Sequence, residues 1–347
     1  MKRMTGLWLL AFALITGIAS AQPVMGNWQG EFTSPEWKTN TLRAEIVGES
    51  RSDYRAYFYV AEKEGLEQQG VIKGKTVKTI TTFLGDIQLG EKLGGLYTLK
   101  AEVTKGVFTG TLKSKSGSTS ASFKMKRVFL KSPTLGMKPP AGATVLMMDH
   151  GNNPAEQKEL FAKQRDLFFN NWSTQPRWDV MSDGSIRMKG SSITSKKEFG
   201  SFLLHLEFKT PYMPDDRGQA RGNSGLYVQG RYEVQILDNF TDPTRDNHCG
   251  GIYQQAVPLL NACLPPNEWQ TYDIEFTAPK FNANGKKFKN ARLSVKHNGK
   301  VIHDDIELRH CTPGNMYGDK EAPTGHMFIQ DHGDYPSFKN AWIKPLN

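Results

Sequence analysis

The sequence predicts an all-β protein: a small antiparallel β-meander or barrel, followed by a larger antiparallel sandwich of two sheets. Three observations lead there. Short runs rich in Val, Thr, Phe and Tyr recur from Val24 to Lys131, separated by Gly, Asp or Lys turn residues. After Asn170 strand-like runs return, with apolar and polar residues alternating at the period of a half-buried strand. Between the two regions, residues 132–144 form a Pro/Gly-rich stretch that suits a domain linker. The 347 residues leave room for about two domains.

Taken in order, residues 1–21 read as a secretory signal peptide. Lys2 and Arg3 precede the apolar run Leu7–Ile18, and Ala19-Ser20-Ala21 supplies small residues for cleavage. Export to a periplasmic or extracellular space is therefore expected, with net charge falling from +9 to +7 once Lys2 and Arg3 leave. Residues 22–131 hold 17 Lys and Arg against 11 Asp and Glu, so +6 of that charge lies in the first domain. Such a domain has either a solvated basic face or an attachment surface for an acidic glycan or cell envelope. It carries no aromatic-basic RNA-binding signature, and nucleic acid is not an expected partner.

Residues 145–347 form the second predicted domain. "TVLMM" reads as a strand, and a helix follows with Asn153 as cap, Pro154 in its first turn and Leu160, Phe161 and Leu167 as apolar points. "SFLLHLEFKT" sets Phe202, Leu204, Leu206 and Phe208 against His205, Glu207 and Lys209. "WQTYDIEF" turns Tyr272, Ile274 and Phe276 inward, and Asn298-Gly299 signals a hairpin. Many strands with one early helix fit a two-sheet sandwich.

The chemistry concentrates in Asn223 to Asp238, "NSGLYVQGRYEVQILD". At period two, Leu226 and Val228 share one face with Tyr227 and Gln229 on the other, and after Gly230 Val234 and Ile236 point one way while Glu233 and Gln235 point the other. A carboxylate and an amide on one face of an otherwise apolar strand indicate a polar groove. A bulge after Gln235 would return Asp238 to that face. Two carboxylates on one sheet face are what sugar-cleaving acid–base chemistry uses. A second cluster, Gln330-Asp331-His332-Gly333, follows the apolar "HMFI"; His332 could act as base, acid or metal ligand. Cys249 and Cys263 could close one loop as a disulfide, with Cys311 left over. No P-loop, G-x-S-x-G or dinucleotide fingerprint appears, and no nucleotide cofactor is expected.

The blocks "FGSFLLHLEFKTPYMPDDRGQARGNSGLYVQGRYEVQILDNF", "CGGIYQQAVPLLNACLPPNEWQTYDIEFTA", "ARLSVKHNGKVIHDD" and "PTGHMFIQDHGDYPSFKNAWIK" occur in that order. Across Val145 to Ile343 they resemble the 3-keto-disaccharide hydrolase family, also described as the 3-keto-glucoside 1,2-lyase/3-keto-2-hydroxy-glucal hydratase domain. The resemblance does not extend to the first domain. It implies a concanavalin A-like jelly-roll sandwich and a glycoside or oxidised oligosaccharide as substrate. It also implies removal of the C2 proton beside a C3 ketone, loss of the aglycone from C1, and addition of water to the glucal product.

On that resemblance Glu233 or His332 is the base, and the other, or Asp238, is the acid. Arg231 and Gln235 would hold sugar hydroxyls or the enediolate, with Tyr227, Asn223, Gln330 and Lys339 as further substrate contacts. Tyr227, Tyr232 and Trp269 could stack on a sugar face. Lys339 stands where the family has Arg in its final "FRN", which removes a planar bidentate donor. A divalent ion could stabilise the enediolate, but the sequence shows no ligand set for one. The spacing of Glu233, Gln235 and Asp238 also echoes the E-x-D-x-x-E strand of glucanases, with the central acid replaced by an amide, which disfavours ordinary glycoside hydrolysis. The competing reading is a non-catalytic carbohydrate-binding or envelope protein on the same fold.

Overall fold

In this computed structural model the described residues are 24–33, 40–62, 65–89, 95–117, 120–149, 157–173 and 177–346. The signal-like segment and the predicted helix cap at Asn153 and Pro154 lie outside them. The first domain is a closed antiparallel barrel of β1 (Gly26–Thr33), β2 (Asn40–Gly48), β3 (Asp53–Glu62), β4 (Gly65–Val77), β5 (Ile80–Leu89), β6 (Gly95–Thr104), β7 (Val107–Ser114) and β8 (Ser120–Val128). Strand β1 closes it by pairing with both β2 and β8, so that Trp28 sits opposite Ala44 on one side and Arg127 on the other. Closure removes the sheet edges that an open meander would expose.

The barrel interior is aromatic. Phe108 packs its ring within 5.2–5.8 Å of the ring centres of Trp28, Phe58, Phe83 and Phe123. Phe240, from the second domain, is buried in the same cluster. The barrel is thus capped by the domain it precedes.

After the linker come β9 (Thr144–Met147), α1 (Gln157–Asn171), β10 (Asp179–Val180), β11 (Ile186–Arg187), β12 (Ile193–Phe199) and β13 (Phe202–Lys209). Then follow β14 (Ser224–Val228), β15 (Tyr232–Ile236), β16 (Gln270–Thr277), β17 (Lys280–Phe281), β18 (Lys287–Lys289), β19 (Ala291–His297), β20 (Lys300–Leu308), β21 (Gly325–Asp331) and β22 (Ser337–Pro345). An eight-stranded sheet runs β10-β11-β22-β13-β16-β19-β20, with β9 added beside β22. A four-stranded sheet runs β12-β21-β14-β15. One core joins them: Leu206, Phe208 and Ile274 from the larger sheet pack in the same cluster as Leu226, Val234 and Ile329 from the smaller. The Asn298-Gly299 turn forms as the sequence indicates, both residues in the left-handed region at φ 51° and 76°.

The alternation predicted for β13 places Phe202, Leu204, Leu206 and Phe208 in the core. Its other face is also covered, because the linker lies across it as a strap. Gly136 N–H donates to Glu207 Oε1 (2.5 Å), Thr134 Oγ1 donates to Asp273 Oδ2 (2.6 Å), and the Asn340 amide and Trp342 indole donate to Met137 O. Under the strap His205 bridges Asp273 Oδ1 (2.6 Å) and Glu207 Oε1 (3.4 Å). Burial lowers the His205 pKa, but the two carboxylates outweigh it and hold the imidazole above its ordinary value.

Candidate active site

The site is built on three adjacent strands of the smaller sheet. In one cross-strand row Gln330 (β21), Gly225 (β14) and Gln235 (β15) stand side by side; in the next, Phe328, Tyr227 and Glu233 do. The floor is therefore dictated by alternation: the neighbours Leu226, Val234 and Ile329 point into the core, so these residues must point out of it. Loops enclose the floor. Gly251 O accepts from Gln235 N–H (2.9 Å) and Thr312 Oγ1 from Glu233 N–H (3.1 Å), so the outer edge of β15 is covered by two loop segments. The result is a cleft of about 340 Å³ lined by Gln219, Asn223, Tyr227, Glu233, Gln235, Asn247, Tyr253, Pro313, Gly314, Gln330 and His332.

Glu233 lies at the base of this cleft and is 3% exposed. Desolvation pushes its carboxyl up to about 7, opposed in part by the Tyr227 hydroxyl. That hydroxyl also donates to Pro313 O at 3.1 Å. A phenol has one proton to give, so turning it between Pro313 and Glu233 accommodates either charge state of the carboxyl. The Tyr227 ring is fixed edge-on against Phe328 at 5.2 Å. Gly225 provides the space the carboxylate occupies: a Cβ there would stand 2.3 Å from Glu233 Oε1 and 2.9 Å from Tyr227 Cε2.

His332 apart, the remaining lining is uncharged and amide-rich. Asn223 donates to Gln219 O (2.7 Å), and its backbone N–H donates to Asp334 Oδ2 (2.7 Å). Asn223 Oδ1 is buried without a partner. Gln235 Nε2 reaches Gln219 Oε1 at 3.4 Å, while its own Oε1 accepts from Ile236 N–H. His332 is exposed at the rim. Asp334, two residues on, is held above the ordinary carboxyl value mainly by burial.

Of the residues singled out in the sequence, the fold brings Glu233, His332, Tyr227, Gln235, Asn223 and Gln330 to one cleft. It places five others elsewhere. Asp238 lies beyond the end of β15, buried beside Arg221 (Nε–Oδ2 3.4 Å), with its backbone N–H donating to Arg221 O. No bulge returns it to the groove face, because that backbone bond fixes the chain after Ile236 toward the Arg221 segment. Burial raises its carboxyl to about 6 against the attraction of Arg221. Arg231 turns away to donate to Lys320 O (2.7 Å), Gln229 O (3.1 Å) and Thr324 O (3.0 Å), and stacks on Tyr317. Lys339 belongs to the other sheet, between Asp149 and Glu207 at 3.3 Å each and over the Trp269 ring. Tyr232 points into the core and donates to Glu321 Oε1, and Trp269 packs under Lys209 and Lys339. Cys249 and Cys263 are free thiols.

Sequence reasoning missed Gln219, Asn247, Tyr253, Pro313 and Gly314. Gln219 sits in a single 3-10 turn, Gly218–Ala220, and the other four lie in loops, where no periodicity marks a side chain's direction. The alternating β14–β15 hairpin could be read because strand geometry determines the face.

With its family match, this antiparallel sandwich bearing a buried carboxylate in a cleft belongs to the carbohydrate-active proteins. More narrowly, the chain belongs to the 3-keto-alpha-glucoside-1,2-lyase-like family, whose model matches residues 157–344. Among solved structures, a candidate glycosyl hydrolase from Parabacteroides distasonis is 32% identical, with a TM-score of 0.50, covering 60% of this chain and 85% of that one. A second candidate glycosyl hydrolase from the same organism is 22% identical over 52% of this chain and 90% of that one, with a TM-score of 0.37. No curated protein matches the chain.

Proposed function

We propose that this protein is an exported enzyme that cleaves 3-keto-glycosides by elimination, with Glu233 as the base. The observation that carries the reading is the buried Glu233 carboxyl, poised at about 7 on the floor of a cleft with no second carboxylate in its described lining. A base whose pKa lies near the working pH is both available and strong enough to remove a carbon acid's proton. The ketone at C3 makes the C2 proton such an acid. Glu233 takes it, the electron pair becomes an enediolate, and the C1–O bond then breaks to give the 2-hydroxy-3-keto-glucal. The departing aglycone oxygen takes a proton, for which His332 at the rim is the proposed donor. Addition of water to the glucal would complete a net hydrolysis.

The developing oxyanion needs donors, for which the side-chain amides of Gln235, Asn247 and Gln330 in the cleft lining are the candidates; the Asn223 amide nitrogen is committed to Gln219. No Lys or Arg lines the described cleft, so a neutral sugar suits it better than an anionic one. Ordinary glycoside hydrolysis calls for two carboxyls flanking one bond. Here Glu233 is the one carboxylate lining the described cleft, and Asp238 faces Arg221.

The test is turnover of a 3-keto-glucoside beside its unoxidised parent, followed by mass spectrometry with and without chelator. Cleavage confined to the keto sugar is the expected result. Cleavage of the parent would replace elimination by hydrolysis, and binding without turnover would make the protein a carbohydrate-binding module. Loss of activity with chelator would add a divalent ion to the site.

A further inference from the structure

Behind the cleft, in the sandwich core, Cys249, Cys263 and His297 bring two sulfurs and a ring nitrogen within 4.8 Å of one another. Cys249 and His297 are buried, and both thiols are free. The protonation of His297 can be read from its neighbours. Gln270 Oε1 accepts from Leu264 N–H (2.9 Å) and Asn298 Nδ2 (3.3 Å), which fixes that atom as the amide oxygen. His297 Nε2, 2.9 Å from the same oxygen, must therefore carry the ring proton. The lone pair is left on Nδ1, which is fully buried and has no partner. A bare acceptor in a dry core has a cost unless something binds it.

We propose that Cys249, Cys263 and His297 form a buried site for one thiophilic d10 cation, Zn(II) or Cu(I). Two sulfurs and an imidazole are the donor set such ions prefer, and tetrahedral or trigonal coordination would require only a small contraction. Gln270 holds the imidazole tautomer; the Tyr272 hydroxyl, 3.0 Å from Cys249 Sγ, would turn from Gln235 O to donate to the thiolate, and Cys263, whose thiol now donates to Asn239 Oδ1 at 3.1 Å, would give up that bond on binding the ion. There is also an approach: Cys263 lines a cavity of about 290 Å³ between the barrel and the sandwich. A bound ion would displace the two thiol protons to solvent. It would fasten the loop carrying Asn247 and Tyr253, one wall of the cleft, to β19 of the opposite sheet. The proposal does not depend on the reaction assigned to the cleft.

The experiment is metal analysis of the full chain purified from zinc- and copper-supplemented medium, with cobalt(II) substitution of the chelator-stripped protein. Expected are one equivalent of zinc or copper per chain and a thiolate-to-cobalt charge-transfer band. Cys263→Ser and His297→Ala are each expected to abolish retention, and should either fail to fold, the wild-type cobalt spectrum decides alone. A metal-free protein lighter by two hydrogens would reveal a Cys249–Cys263 disulfide and overturn the proposal. So would three titratable thiols on unfolding with no metal bound, or metal retained undiminished in folded variants.

Discussion

The barrel and the cleft sheet are both antiparallel and both alternate in sequence, yet only one of them carries a site. In β5 every second residue is exposed or nearly so, and Phe83, Ile87 and Leu89 fill the interior. In β14 and β15 all five residues of each strand are buried. The barrel's second face meets water, where a polar side chain is solvated and chemically ordinary. The cleft's second face is covered by the loops around Gln219, Asn247, Tyr253 and Pro313. Polar side chains there lose water without gaining a core, and desolvation shifts their acidity. The same strand grammar gives packing in one place and reactivity in the other.

The largest effect is expected from Glu233→Gln, which keeps the shape and removes the base. Turnover of a 3-keto-glucoside should fall about 10²–10⁴-fold with KM little changed. In the wild type, kcat/KM should rise with pH through about 7 as this carboxyl ionises. Stability should run the opposite way. The folded carboxyl holds its proton more tightly than the unfolded one, so its contribution declines as pH climbs from 4.5 toward about 7. Glu233→Gln should therefore melt higher than the wild type above that range, and an unchanged or lower melting point would show that burial is not what raises the pKa.

Phe108→Ala breaks the other half of the comparison. Removing the ring at the centre of the barrel's aromatic cluster should cost about 3–5 kcal/mol in denaturant unfolding. Turnover per folded molecule should not change; a loss like that of Glu233→Gln would mean the barrel shapes the cleft. Gly225→Ala is the finer probe, because a Cβ 2.3 Å from Glu233 Oε1 must push the carboxylate aside. A displacement of that size should lower kcat about 10²-fold, with the far-ultraviolet circular dichroism unaltered. Asp238→Asn should have the smallest effect on kcat, since its partner is Arg221 and not a group of the cleft. A collapse of kcat in a folded Asp238→Asn protein would return Asp238 to the chemistry.

Much of the fold was legible in the amino acids. The alternation of β13, β16, β14 and β15 and the Asn298-Gly299 turn follow from local rules, because strand period and turn chemistry act over a few residues. The core side of the β14–β15 hairpin and the opposite placement of Tyr227, Glu233 and Gln235 follow from the same period. Reading onward to Asp238 failed because strand periodicity stops at Ile236 and a backbone bond to Arg221 redirects the chain. Arg231 and Lys339 misled for a related reason: a cation's partner is chosen by whatever lies near it in space, here Lys320 and Thr324 carbonyls for one and Asp149 and Glu207 for the other.

By itself, then, the sequence determined which residues could share a strand face and which family their order resembles. The tertiary structure decided that β21 lies beside β14, bringing Gln330 and His332 to a carboxylate about 100 positions earlier in the chain. It also decided that loops close over that face. Pairing between distant strands depends on the packing of the entire core, and desolvation depends on everything around a group. Neither is a property of a local stretch of chain, and together they turn Glu233 from an alternating polar residue into a base poised near neutrality.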